Sequence, residues 1–124
     1  MRAKTILFVD DESSILDGHR LLFEALGYSV LTADSGMEAL VLLQRHPVHA
    51  VVLDYAMVPM NGEETALRVR REHGNLPIVL FSGCLSVPKS VLEVVDVSLQ
   101  KGTGPEVLIE TLRQLLQPLA RKRK

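Results

Sequence analysis

The sequence predicts an α/β fold, a mainly parallel five-stranded sheet with helices on both faces, from three observations. Apolar runs of strand length recur at Thr5–Val9, Tyr28–Thr32, Ala50–Leu53, Pro77–Phe81 and, weakly, Asp96–Leu99. These runs are mostly continuous rather than alternating, as expected of strands covered on both sides. Between them apolar residues recur at three- and four-residue spacing, which predicts a helix after each strand.

The first strand, "TILFV", runs directly into Asp10, Asp11 and Glu12. The first helix carries Ile15, Leu16, His19, Leu22, Phe23 and Leu26 on one stripe, and Gly27 supplies the left-handed position that ends many helices. After the second strand, "SGME" opens the next helix, with Ser35 as cap and Glu38 placed to reach back in a capping box. The third strand, "AVVL", ends on another acid, Asp54. The third helix follows Gly62, sets Thr65, Leu67 and Val69 among charges, and ends near Gly74. The fourth strand ends "VLFSG", and the helix after Pro88 is short. The fifth strand is followed by "LQKG", and the last helix begins at "TGPE" with a capping-box spacing from Thr103 to Glu106. Its stripe is Leu108, Leu112, Leu115 and Leu119.

At 124 residues and 47% hydrophobic, one domain buries enough surface to fold without disulfides or structural metal. The single cysteine cannot pair within the chain, and no apolar run approaches the length of a membrane span, so the expected location is cytoplasmic and no membrane partner is expected. A net charge of −1 predicts no nucleic-acid surface on the domain itself, apart from the final "RKRK".

In a doubly wound parallel sheet, ligands bind outside the carboxyl ends of the strands where the winding reverses. For strand order 2-1-3-4-5 the reversal lies between strands one and three, the two that end in Asp10–Asp11 and in Asp54. At ~5 Å and an effective dielectric of ~20, each like-charge pair costs about 3 kcal/mol, so three carboxylates together call for a divalent cation. Oxygen ligands select magnesium, manganese or calcium, and magnesium keeps waters that a phosphate oxygen can replace. Ser82 and Lys101, after strands four and five, can each contact a phosphoryl oxygen.

An Asp pair after strand one, a lone Asp after strand three, a hydroxyl after strand four and a lysine after strand five closely resemble the receiver domain of two-component response regulators. "ILFVDDE" and "D..M..MNG" are specific when found together, and the resemblance spans essentially the whole chain. It implies a flavodoxin-like (βα)5 three-layer sandwich over residues 1–120, with a basic tail at 121–124. It further implies a phosphorylation-controlled switch in which a histidine kinase or phosphotransfer protein supplies a phosphoryl group and Asp54 accepts it, without turnover as an enzyme. Asp11, Asp54 and the backbone carbonyl of Ala56 look like the Mg2+ ligands, with Asp10 acting mostly through a metal-bound water. Lys101 would bind the phosphoryl group and Ser82 would swing toward it. The output partner is not implied, and the expected state is a monomer or weak dimer.

The chain also departs from the family pattern. Val58 stands where proline is usual, with Pro59 next; Gly83 replaces alanine, Gly102 replaces proline, and Val94–Val95 replace Gly-Ala. The stretch from Ser82 to Lys101 is short, predicting a reduced fourth helix, and Ser98 stands where a Tyr or Phe normally turns inward on phosphorylation. That last change favours an alternative, a pseudo-receiver that signals by constitutive interaction; the intact acids, Ser82 and Lys101 oppose it. An aspartyl-phosphate phosphatase would want a second Asp two residues after its nucleophile, where Asp10 is followed by Glu12. His19, His46, His49 and His73 show no site-like spacing and are read as structural or surface, and Cys84 as a small apolar filler.

Overall fold

Five strands alternate with five helices among the residues that the computed structural model describes, 3–55, 62–83 and 87–117. In chain order they are β1 Thr5–Val9, α1 Ser13–Ala25, β2 Ser29–Ala33, α2 Gly36–Arg45, β3 Ala50–Asp54, α3 Gly62–Glu72, β4 Ile78–Ser82, α4 Lys89–Leu92, β5 Val97–Gln100 and α5 Pro105–Leu115. All pairings are parallel and the strand order is β2-β1-β3-β4-β5, the flavodoxin-like arrangement. The winding therefore reverses between β1 and β3.

Side chains alternate across a strand, so each strand feeds two cores. Leu7, Val9, Val51, Leu53, Ile78 and Leu80 pack under α2, α3 and α4 with Leu40, Val69 and Val91. Ile6, Phe8, Ala50, Val52 and Val79 pack under α1 and α5 with Leu16, Phe23, Leu108 and Leu112. The three central strands, β1, β3 and β4, are buried along nearly their whole length, which is why their apolar runs are continuous. Continuing the alternation one step past β1 puts Asp10 on the α1/α5 side with Phe8, and Asp54 falls on that side with Val52.

Local chemistry explains each boundary. Gly27, at φ 102°, closes α1: its N–H bonds to Glu24 O and the Tyr28 N–H to Phe23 O. Tyr28 is spent on that closure, so β2 starts one residue later than its apolar run. In α2, Ser35 Oγ accepts from Glu38 N at 3.1 Å, as expected of the cap, but Glu38 Oε1 reaches one residue further back and accepts from Asp34 N at 2.8 Å.

Three expectations need correcting. The cap of α5 is not Thr103, whose hydroxyl donates to Gln100 O at 2.9 Å; the N-cap is Gly104 at φ 91°, with Pro105 preset for the first helical position. In α3 the buried residues are Thr65, Ala66 and Val69, while Leu67 is 40% exposed, because a spacing of two points away from the face that a spacing of four shares. Leu26, at the C-cap of α1, is also exposed. Leu119 lies outside the described residues. The fourth helix is a single turn, as its short stretch of sequence requires, and is anchored by one fully buried residue, Val91, worth about 1.5–3 kcal/mol.

Candidate functional site

Asp10 follows the last residue of β1 and Asp54 is itself the last residue of β3, so both stand at the carboxyl edge of the sheet, 3% and 5% exposed. Asp10 is held twice: its Oδ1 accepts from Glu12 N at 3.0 Å and its Oδ2 lies 3.4 Å from Lys101 Nζ. Asp11 is exposed. One carboxylate oxygen from each of Asp10, Asp11 and Asp54 lies within 4.8 Å of the other two.

Lys101 enters from the loop after β5. Its backbone N–H bonds to Ser82 O at 2.8 Å, extending the β4–β5 pairing by one step, and its ammonium sits 3.0 Å from Asp54 Oδ1. Burial pulls the Lys101 pKa down, but the hydrogen bond and charge of Asp54, with Asp10 behind, more than reverse this and leave it raised. Ser82 closes β4 and is 2% exposed. The ends of β1, β3 and β5 thus bring together three carboxylates and one ammonium, and Ser82 ends β4, the strand between β3 and β5.

Gly102 has φ 91°, a value proline cannot adopt, so the turn after Lys101 differs in backbone from one built on proline. Ser98 is exposed, opposite Leu80 in the β4–β5 register. Ala56, Val58, Pro59 and Cys84 lie outside the described residues.

Of the four histidines, His19 lies next to the site. Its ring stacks on Phe8 at 4.7 Å and approaches Phe81 at 5.9 Å, and with Val52 these residues form a floor beneath Asp10 and Asp54 that leaves no room for water. The signal was its place on the core-facing stripe of α1, between Leu16 and Phe23. Burial pushes the His19 imidazole below its usual pKa, opposed by the charge of Asp10 and reinforced by Lys101. A base with a depressed folded pKa contributes stability above its unfolded value, about 6.5, and loses it as pH falls through the folded pKa. Metal-free His19→Leu is therefore expected to lose less stability than the wild type as pH falls below about 6.5, measured by urea unfolding. Parallel curves would place the acid sensitivity elsewhere. His49 is structural, its Nδ1 accepting from Thr5 N at 2.9 Å.

The cluster carries a formal charge of −2 once Lys101 is counted, with two of its acids almost dry. Such a site suits a hard divalent cation and an incoming phosphoryl oxygen. Among the described residues no helix is long and apolar enough to cross a membrane.

Comparisons with known proteins agree with this geometry. The family model for the response regulator receiver domain matches residues 6–113. Response regulator MprA of a Mycobacterium species is 34% identical over 115 residues, 90% of this chain and 50% of that protein. Transcriptional regulatory protein GlrR of Escherichia coli is 33% identical over 86 residues, 69% of this chain but 19% of that protein. The chain thus matches half or less of the length of these curated relatives. Among solved structures, the Vibrio cholerae chemotaxis protein CheY4 superposes with a TM-score of 0.86 at 30% identity, covering 93% of this chain and all of that one. The response regulator TrrA of Thermotoga maritima, solved in complex with Mg2+ and BeF, gives 0.85 at 29% identity, covering 91% and 99%. The chain belongs to the response regulator receiver domain family of two-component systems, with Asp10, Asp11 and Asp54 forming its acidic pocket.

Proposed function

We propose that this receiver domain accepts a phosphoryl group on Asp54 from a histidine kinase or phosphotransfer protein, in a Mg2+-dependent reaction that it catalyses on itself. The observation that carries this reading is the placement of Asp54, buried at the sheet edge, with two other carboxylates within 4.8 Å and an ammonium at 3.0 Å. A carboxylate oxygen of Asp54 attacks phosphorus in line, forming the O–P bond as the bond to the donor breaks, and the donor leaves with that electron pair. Lys101 moves from the Asp54 carboxylate to an oxygen of the arriving phosphoryl group, offsetting its charge, and the Ser82 hydroxyl hydrogen-bonds to another.

All three carboxylates are hard donors and fit Mg2+, which when bound offsets their charge and that of the phosphoryl oxygens. Asp11 and Asp54 would hold it directly, with the carbonyl of Ala56. Asp10, whose two oxygens are already engaged, would act through water. Asp11→Ala is therefore expected to weaken Mg2+ more than a hundredfold, and Asp10→Ala by about ten- to a hundredfold, as for an outer ligand. Equal losses in a metal titration would refute the ordering.

The reading is tested by incubation with acetyl phosphate and Mg2+ followed by intact-mass measurement. Addition of one phosphoryl group is expected. No addition at any donor concentration favours a pseudo-receiver signalling by constitutive contact, the reading that an exposed Ser98 in place of a switch aromatic would support.

A further inference from the structure

The guanidinium of Arg70, in the last turn of α3, makes four hydrogen bonds to four different residues. Nε donates to Val94 O at 2.9 Å, Nη1 to Gly74 O at 2.6 Å and Leu76 O at 3.1 Å, and Nη2 to Asp96 Oδ2 at 2.8 Å. The same Asp96 oxygen accepts from Ile78 N at 2.7 Å, and Asp96 N donates to Ile78 O at 2.9 Å. One side chain therefore joins the end of α3, the turn after it, the start of β4 and the turn between α4 and β5. At the other end of α3, Glu63 accepts from Ser90 in α4 at 3.0 Å. Otherwise the segment is held from one side: α4 is one turn with a single buried residue, and β5 is a four-residue edge strand with no buried position, paired with β4 and resting on the cores through the partly buried Val94, Val95, Val97 and Leu99.

We propose that Arg70 is a clasp that keeps the α4–β5 segment, residues 89–100, in one position whether or not the acid site carries a phosphoryl group, so that this face is a fixed surface rather than a moving one. The planar fork suits the task. Three of its bonds go to backbone carbonyls whose positions define the two turns, and the fourth is charge-assisted and shared with the β4 backbone. A lysine could not satisfy four acceptors spread in this way. The clasp lies at the amino ends of β4 and β5, away from the acids. The carboxyl end of the segment, by contrast, meets the site, with Gln100 opposite Ser82 and Lys101 N bonded to Ser82 O; the clasp is what holds the segment against a shift arriving from that end.

The inference rests on the phosphoryl-acceptor reading only for its comparison of two states. Its test is hydrogen exchange of the full chain with and without beryllofluoride and Mg2+, in the wild type, Arg70→Met and Asp96→Asn. Wild-type exchange across 89–100 is expected to be unchanged by the mimic. In Arg70→Met the segment is expected to exchange about tenfold faster without the mimic, and to become sensitive to it. Asp96→Asn, which keeps an acceptor for Ile78 N but loses the charge, is expected to show the same trend more weakly, and decides the matter should Arg70→Met fail to fold. A wild-type segment that responds to the mimic overturns the proposal, as does a variant that exchanges like wild type. A segment that loosens in the variants yet ignores the mimic also overturns it, since the missing aromatic at Ser98 would then be what silences this face. If no peptide responds, including those carrying Asp54 and Ser82, the phosphoryl reading fails, and the comparison without mimic still decides whether Arg70 holds the segment.

Discussion

Asp54→Asn is expected to abolish phosphoryl incorporation from acetyl phosphate, not merely slow it. The amide keeps the shape of the side chain but has no anionic oxygen to attack phosphorus, and neither neighbouring acid can take its place. Asp10 has one oxygen on the Glu12 amide and the other facing Lys101, so an attack from it would break both contacts. Asp11 is exposed and lacks the buried surroundings that replace water around a developing transition state. Asp54 combines 5% exposure, a cation at 3.0 Å and two acids able to hold a metal beside it; Asp10 is as buried, but one of its oxygens is held by the Glu12 amide and the other faces Lys101. Intact mass after incubation measures the result, with peptide mapping of any product. An unchanged mass addition in Asp54→Asn would sink the assignment of the acceptor.

Much of this site could be read from the chain because of how a parallel sheet is built. A buried strand needs an unbroken apolar run, so an acid that follows one directly marks the carboxyl edge, and the βα alternation brings those edges together. Asp10, Asp11 and Asp54 can be read that way, and the structure brings their carboxylates together with the Lys101 ammonium. Harder to read were features that depend on backbone angles or on side chains reaching across elements. Thr103 had the spacing of a cap, but Gly104 can take a positive φ and Thr103 cannot do so cheaply, so the helix starts one residue later. Leu67 was grouped with Thr65 and Val69 by hydrophobicity although its spacing put it on another face. His19 has no telling spacing to the acids along the chain; it meets the site through the rings of Phe8, on β1, and Phe81, on β4. Arg70 gave no signal at all, since its four acceptors are backbone and side-chain oxygens up to 26 residues away.

The second large effect concerns Lys101, whose ammonium is the only basic group found in an ion pair with the acid pocket among the described residues. Lys101→Ala raises the formal charge of the cluster from −2 to −3 while Asp10 and Asp54 stay 3% and 5% exposed. Removing one partner of a buried pair costs about 3–5 kcal/mol; Lys101 is a quarter exposed, so about 2 kcal/mol is expected for the metal-free protein at neutral pH. Mg2+ should recover most of that loss, because it supplies the missing positive charge at the same oxygens. Its affinity should be unchanged or tighter in the variant, since the metal no longer competes with an ammonium for Asp54 Oδ1. The raised pKa of Lys101 makes its own contribution pH-dependent: it is fully present below the unfolded value, about 10.4, and is lost as pH rises through the higher folded value. Wild type should therefore show an alkaline fall in stability that Lys101→Ala lacks. Urea unfolding at two Mg2+ concentrations, with a calorimetric Mg2+ titration, measures both halves. A collapse of Mg2+ binding in Lys101→Ala would show that the lysine organises the metal pocket itself, and the role assigned to it on the phosphoryl oxygens would have to be given up.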